Sequence, residues 1–161
     1  MPIPFLDMRG ITAAMREDLI AAATRVIDSG WFVLGEEVVQ FERDYAVYCE
    51  TQRCVGVANG LEALTLALRA LDIGPGDEVI VPANTYIATW LAVSHVGARP
   101  VPVEPDERTY NIDPARIAAA ITPRTRVILP VHLYGQPADL DPIRDIARHH
   151  GLSVLEDGAQ A

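Results

Sequence analysis

Lysine is absent from all 161 residues of this chain, and its 13 basic side chains are all arginine. That absence removes the side chain whose neutral amine can condense with a carbonyl. A guanidinium stays protonated and is not a usable amine nucleophile. Cysteine is scarce as well. Cys49 and Cys54 form a C-x4-C pair without nearby histidines, which is not a zinc signature, and the spacing is not the C-x-x-C redox pattern. Cys54 opens an apolar run and reads as a buried small hydrophobe. No apolar run approaches the roughly 18 residues of a membrane span. Met1-Pro2-Ile3-Pro4 lacks the basic and apolar regions of a signal peptide, so the expected compartment is the cytoplasm. Positive charge is in deficit, 13 basic against 22 acidic residues, net −9, which argues against nucleic acid and anionic membrane as partners. Half the residues are apolar, which permits a buried core.

The apolar pattern predicts a helix over residues 12 to 28, with Thr12 as N-cap and Ser29-Gly30 as its end. A turn carrying Trp31, Phe32 and Gly35 precedes a second helix over Glu36 to Tyr48, with Val38, Phe41, Tyr45 and Tyr48 on one face. The pattern changes at Cys54. A short apolar run, Cys54 to Ala58, leads through Asn59-Gly60 into a helix ending at Leu71, with Leu64, Leu66, Leu68 and Leu71 expected in a core. Strands are expected at Glu78 to Pro82, Arg126 to Val131 and Leu152 to Glu156, and an edge or irregular strand at Pro100 to Val103. Helices are expected at Thr85 to Val96, from Asp113-Pro114 to Ile121, and at Leu140 to His150, closed by Gly151. Strands alternating with helices imply an α/β fold with a mainly parallel sheet. The last strand reaches the final residues, and a sheet's ligand-bearing edge is an unusual place to stop. The chain is therefore expected to be the N-terminal part of a longer polypeptide.

In open α/β sheets, ligands bind outside the carboxyl ends of the strands, and three stretches fall there. In Ala58-Asn59-Gly60-Leu61, a glycine that permits close approach opens a helix whose free N–H groups suit a phosphate. The alternative is an ordinary strand-to-helix turn; neither a Walker A loop nor G-x-G-x-x-G is present. In Pro82-Ala83-Asn84-Thr85-Tyr86, Asn84 or Thr85 can cap the next helix, and Tyr86 can stack on a flat heterocycle or pack in the core. In Glu156-Asp157-Gly158-Ala159-Gln160, adjacent carboxylates are costly unless one meets a cation. A protonated heterocyclic nitrogen is one such cation, and Gln160 could bond another edge of the same ring. A solvated loop or metal-binding acids are the other readings. His132 lies at a strand end, either lining the pocket or satisfied structurally. His149-His150 reads as a structural helix end.

Taken together, Ser29-Gly30-Trp31-Phe32-Val33-Leu34-Gly35, Asn59-Gly60-Leu61-Glu62-Ala63-Leu64, Gly76-Asp77-Glu78-Val79-Ile80, Pro82-Ala83-Asn84-Thr85-Tyr86, Val131-His132-Leu133-Tyr134-Gly135-Gln136 and Glu156-Asp157-Gly158-Ala159-Gln160-Ala161 resemble the DegT/DnrJ/StrS family of sugar aminotransferases, which depend on pyridoxal 5'-phosphate (PLP). Their order and spacing carry the resemblance over almost the whole chain. It implies an aspartate-aminotransferase-like (fold type I) large domain, truncated, with a mainly parallel sheet and helices on both faces. Residues 1–50 would form an N-terminal helical arm and dimerisation segment, and 51–161 an incomplete PLP-binding domain.

The resemblance assigns Asp157 to the pyridine nitrogen, Gln160 to the ring's hydroxyl side and Tyr86 to stacking on the ring. It assigns Asn59, Gly60 and Leu61 to the phosphate cradle. Trp31 and Phe32 match a segment that approaches the dimer-related active site; with His132 they are candidate substrate contacts. The family reaction moves an amino group, usually from L-glutamate, to a keto group on a nucleotide-linked sugar, in a cytoplasmic homodimer. Two departures stand out. Asn59-Gly60-Leu61-Glu62-Ala63-Leu64 replaces the commoner N-G-T-D-A-L, which removes a hydroxyl near the phosphate. It resembles the N-G-L-D-A-L variant of 3-aminotransferases acting on dTDP-linked 6-deoxy sugars, and so points to a dTDP-3-keto-6-deoxyhexose. The family's Schiff-base lysine, downstream of the Asp157 motif, is missing, so this chain alone is expected to be inactive. A PLP-dependent sugar dehydratase and a non-catalytic homologue binding a sugar nucleotide or another subunit are the competing readings.

Overall fold

The computed structural model describes residues 6–161. They fall into two compact units, one running through Gly56 and the other spanning Val57–Ala161.

The first unit is helical: α1 (Met8–Ala14), α2 (Arg16–Ser29) and α3 (Glu36–Tyr48). The helix expected from Thr12 starts earlier, because the Asp7 side chain accepts the Gly10 N–H at 3.0 Å and caps α1. It is then interrupted at Met15, whose ψ of 9° leaves the helical range. Gly30, at φ 64°, closes α2 in the left-handed conformation that favours glycine. Phe41, Tyr45 and Tyr48 share a face of α3 as expected, with ring centroids 5.3 and 6.0 Å apart, yet all three remain exposed. The apolar run from Cys54 forms no strand, and Cys54 itself is only half-buried.

The second unit holds α4 (Gly60–Ala70), β1 (Glu78–Pro82), α5 (Ile87–His95), β2 (Arg99–Val103), α6 (Pro114–Ala120), β3 (Thr125–Ile128), α7 (Leu140–His150) and β4 (Ser153–Val154). The four strands are parallel in the order β2-β1-β3-β4. The chain first steps from β1 to β2, then returns past β1 to β3 and continues to β4. Strand order therefore reverses between β1 and β3, which is where an open α/β sheet forms a ligand crevice.

Period-2 alternation divides the core between the two faces. Val79, Val81, Val127 and Leu129 pack against Leu64 and Leu68 of α4 and Ala92 and Val93 of α5. Ile80 and Ile128 point the other way, onto Ile117 of α6 and Ile143 and Ala147 of α7. The expected parallel sheet with helices on both faces is thus present. Leu66 and Leu71 are exposed, contrary to expectation. Leu66, two positions from both Leu64 and Leu68, turns off the buried stripe, where Thr65 sits instead, and Leu71 is the C-cap residue beyond the end of α4.

Pro100 and Pro102 lie on β2, an edge strand, as their type requires. The register slips between Glu78 and Val79, so Arg126 is an extra residue in β3. Asp113 accepts the Ala115 N–H at 2.9 Å with Pro114 at the start of α6. At the amino end of the sheet, Glu78 is almost wholly buried. Its carboxylate accepts from Thr122 Oγ1 at 2.5 Å and from Arg124 Nη2 at 2.8 Å, with Arg99 at 3.4 Å. The Thr122 hydrogen bond first, then those from Arg124, hold this carboxyl below its ordinary pKa. No helix among the described residues is long and apolar enough to cross a membrane.

Candidate functional site

The carboxyl ends of β1, β3 and β4 open onto a cavity of about 490 Å³. Its wall includes Asn59, Gly60 and Leu61, then Thr85, Tyr86 and Thr89, and finally Asp157 and Gln160. Six residues singled out from the sequence therefore meet at one place, although they come from three separate stretches. The sheet ladder runs on beyond the formal strands to position Asp157. Leu155 N–H donates to Ile128 O, Asp157 N–H to Pro130 O, and His132 N–H to Asp157 O.

The Asp157 side chain is about 9 % exposed. Its Oδ2 accepts from Thr89 Oγ1 at 3.0 Å and its Oδ1 from the Ala159 N–H at 3.1 Å. A carboxylate offers about four lone-pair positions, so some remain for a ligand. No basic side chain among the described residues pairs with it. The neighbouring carboxylate behaves differently: Glu156 is matched with Arg144 at 3.2 Å and with His132 at 3.1 Å. The two acids do not converge as metal ligands would. Among the described residues, the cavity thus contains one buried carboxylate with no basic side chain paired to it.

At the opposite wall, Asn59 is the N-cap of α4, and its Oδ1 accepts the Glu62 N–H at 3.0 Å. The Gly60 and Leu61 N–H groups, in the first turn, have no intrahelical acceptor. A Cβ at Gly60 would meet nothing within 4 Å, so the space over this turn is open to a ligand. Open space, free donors and the positive end of the helix dipole together fit an anion.

Tyr86 is the N-cap residue of α5 and its ring is 71 % exposed. It is not a core tyrosine. The expected capping by Asn84 or Thr85 does not occur: Asn84 Nδ2 donates to Tyr110 O, and Thr85 Oγ1 pairs with Thr89 Oγ1. Trp90 Nε1 instead ties α5 to the end of β1 by donating to Pro82 O at 3.2 Å. Gln160 Oε1 accepts the Tyr134 N–H at 2.9 Å, which leaves its amide N–H groups available. Tyr134, at φ 59°, is held in this strained turn by Asn111, whose Oδ1 accepts from Leu133 N–H and whose Nδ2 donates to Gln136 O.

One expected contact lies elsewhere. His132 is buried but does not line the cavity. Its Nδ1 accepts the Ala138 N–H, so Nε2 carries the proton toward Glu156, and both nitrogens are satisfied. Trp31 and Phe32 belong to the helical unit, where they line a separate cavity of about 310 Å³ beside the Arg25–Glu37 ion pair.

Thr89 and Asn111 are not singled out from the sequence, and Thr85 is expected only as a helix cap. The signal for the threonines was a hydroxyl pair four residues apart in an otherwise apolar helix start.

Residues 13–161 match the DegT/DnrJ/EryC1/StrS aminotransferase family. The chain is 57 % identical over 159 residues to the dTDP-3-amino-3,4,6-trideoxy-alpha-D-glucose transaminase of Streptomyces venezuelae, covering 99 % of this chain and 42 % of that protein. It therefore spans less than half the length of this relative. A crystal structure of S. venezuelae DesV in complex with a ketimine intermediate superposes with a TM-score of 0.97 at 57 % identity, over 99 % of this chain and 43 % of the other. Bacillus subtilis NtdA with bound cofactor PMP gives 0.93 at 40 % identity, over 96 % and 36 %. Sequence match, sheet topology and cavity agree, and the chain belongs to the DegT/DnrJ/EryC1/StrS aminotransferase family.

Proposed function

We propose that this chain supplies the coenzyme cradle of a PLP-dependent aminotransferase that moves an amino group from L-glutamate to a keto group on a nucleotide-linked sugar. The observation that carries the reading is Asp157, a buried carboxylate facing the cavity without a cationic side-chain partner among the described residues. When bound, PLP supplies an electron sink at its protonated ring, which permits bond breaking at the amino-bearing carbon.

The chain's own residues do the rest. Asp157 holds a proton at the ring nitrogen by offering a counter-charge. The free N–H groups of Gly60 and Leu61 bind the phosphate, with Asn59 fixing the turn that presents them. The Tyr86 face orients the ring by stacking and excludes water from it. Gln160, anchored through its Oε1, offers an N–H to the ring's hydroxyl side. No lysine is present, so another segment must provide the amine nucleophile, and the 161 residues alone do not turn over.

The substrate class that fits best is a dTDP-linked 3-keto-6-deoxyhexose. Support comes from Asn59-Gly60-Leu61-Glu62-Ala63-Leu64 and from the activity named for the S. venezuelae relative. The working assembly is a homodimer, with the helical unit at its interface and Trp31 and Phe32 toward the partner's site. The exposure of Trp31, Phe32, Phe41 and Tyr48 supports this.

The test uses the full natural polypeptide that carries these residues, with PLP, L-glutamate and a dTDP-3-keto-6-deoxyhexose. Formation of 2-oxoglutarate together with an amino-sugar nucleotide, seen by mass spectrometry, is expected. Failure to retain PLP, or retention without amino transfer to any keto-sugar nucleotide, would refute it.

A further inference from the structure

The hydroxyl of Thr89 is used differently from its counterparts in the same unit. A serine or threonine inside a helix commonly turns its hydroxyl back to the carbonyl four residues earlier. Thr65 does so, to Leu61 O at 2.8 Å, and Ser94 does so, to Trp90 O at 3.1 Å. Thr89 instead donates to Asp157 Oδ2, 68 residues away, at 3.0 Å. A hydroxyl has one proton. Since that proton lies on the carboxylate, the 3.0 Å contact between Thr85 Oγ1 and Thr89 Oγ1 must be a donation from Thr85. The result is a directed chain, Thr85 to Thr89 to Asp157, in which each bond polarises the next.

The surroundings favour a role beyond filling space. Thr89 is about 1 % exposed, whereas Thr85 is half-buried, and both line the cavity with Asp157. The charged groups nearest in sequence are engaged elsewhere, since Glu156 pairs with Arg144 and His132. Only neutral donors, Thr89 and the Ala159 N–H, hold Asp157. With no basic side chain paired to Asp157 among the described residues, these two donors are what fixes the orientation of its carboxylate.

We propose that Thr89, fed by Thr85, is a positioning residue for the coenzyme, holding the Asp157 carboxylate in a fixed orientation toward the ring nitrogen. This rests on the PLP reading above. Removing a charge-assisted donor of this kind should weaken coenzyme binding by about tenfold or more.

The experiment compares Thr89→Val, Thr89→Ser and Thr85→Val in the full natural polypeptide. It measures the PLP dissociation constant, the absorption spectrum of the bound coenzyme at fixed pH, and the melting temperature without coenzyme. Thr89→Val should bind PLP about tenfold or more weakly and shift the spectrum toward an unprotonated ring. Thr89→Ser should stay within about twofold, and Thr85→Val should lose about two- to fourfold, the part due to polarisation along the chain. If Thr89→Val fails to fold, Thr85→Val decides. The inference is overturned if the valine variants bind and absorb like the parent, or if serine fails as badly as valine, which would make the methyl group the important part. A parent protein that does not bind PLP would instead refute the underlying reading.

Discussion

Replacing Asp157 with asparagine tests the coenzyme reading with almost no change in shape. Asp157 Oδ1 accepts from the Ala159 N–H and Oδ2 from Thr89. In Asp157→Asn the amide oxygen must face Ala159, because an NH2 there would set donor against donor. The NH2 then lies on the Thr89 side, where the hydroxyl must turn round to accept. A ring nitrogen approaching this group finds a neutral donor rather than a counter-charge, so it binds unprotonated. The loss is one charge-assisted hydrogen bond, about 1.5–3 kcal/mol, or roughly 10- to 150-fold in the dissociation constant. Equilibrium dialysis or fluorescence quenching at neutral pH would measure it, with melting of the coenzyme-free protein as the control for folding. A dissociation constant within twofold of the parent, in a protein that melts normally, would show that Asp157 does not face the ring nitrogen. Asp157→Ala, which removes both acceptors, should also abolish most amino transfer.

Tyr86→Ala should weaken PLP binding by on the order of 1 kcal/mol through lost stacking, without lowering the melting temperature, because its ring is exposed; an unchanged dissociation constant would remove it from the site. Leu68→Ala, in the core under α4, should cost about 2–5 kcal/mol in denaturant unfolding; a cost below 1 kcal/mol would mean that this face repacks freely. Glu78 titrates below the ordinary carboxylate range when folded, so its contribution to stability is complete above the pKa of the unfolded chain, near 4.3, and is lost as pH falls through the lower folded value. Melting curves of the parent and Glu78→Gln should therefore converge toward acid and separate at neutral pH; parallel curves would reject the assignment.

Most of the second unit could be read from the sequence, because its signals are local. Asp113-Pro114 and Gly151 mark helix ends by backbone chemistry, and the unbroken apolar run Val79, Ile80 and Val81 announces a strand buried on both sides. The helix break at Met15 was less legible, since no glycine or proline marks it. Leu66 is exposed because the helix period, not the abundance of leucine, decides which side chains reach the core. In the site, Asp157, Gln160 and Gly60 were visible through motif order. Thr89 was not, because its importance lies in a contact across 68 positions. His132 shows the converse: a residue prominent in sequence whose ring is consumed by Ala138 and Glu156.

The two prolines of β2 give the sheet a direction of growth. Arg99 N–H donates to Asp77 O, and Val103 O accepts from Ala83 N–H, so residues 99, 101 and 103 bond inward to β1. The alternating positions that turn outward are Pro100 and Pro102, which have no N–H to offer. A strand arriving on that side would find acceptors without matching donors, so the β2 edge is chemically capped against both misassembly and extension. Any further strand, from this or another chain, has to join beside β4, the side that carries Asp157 at its end.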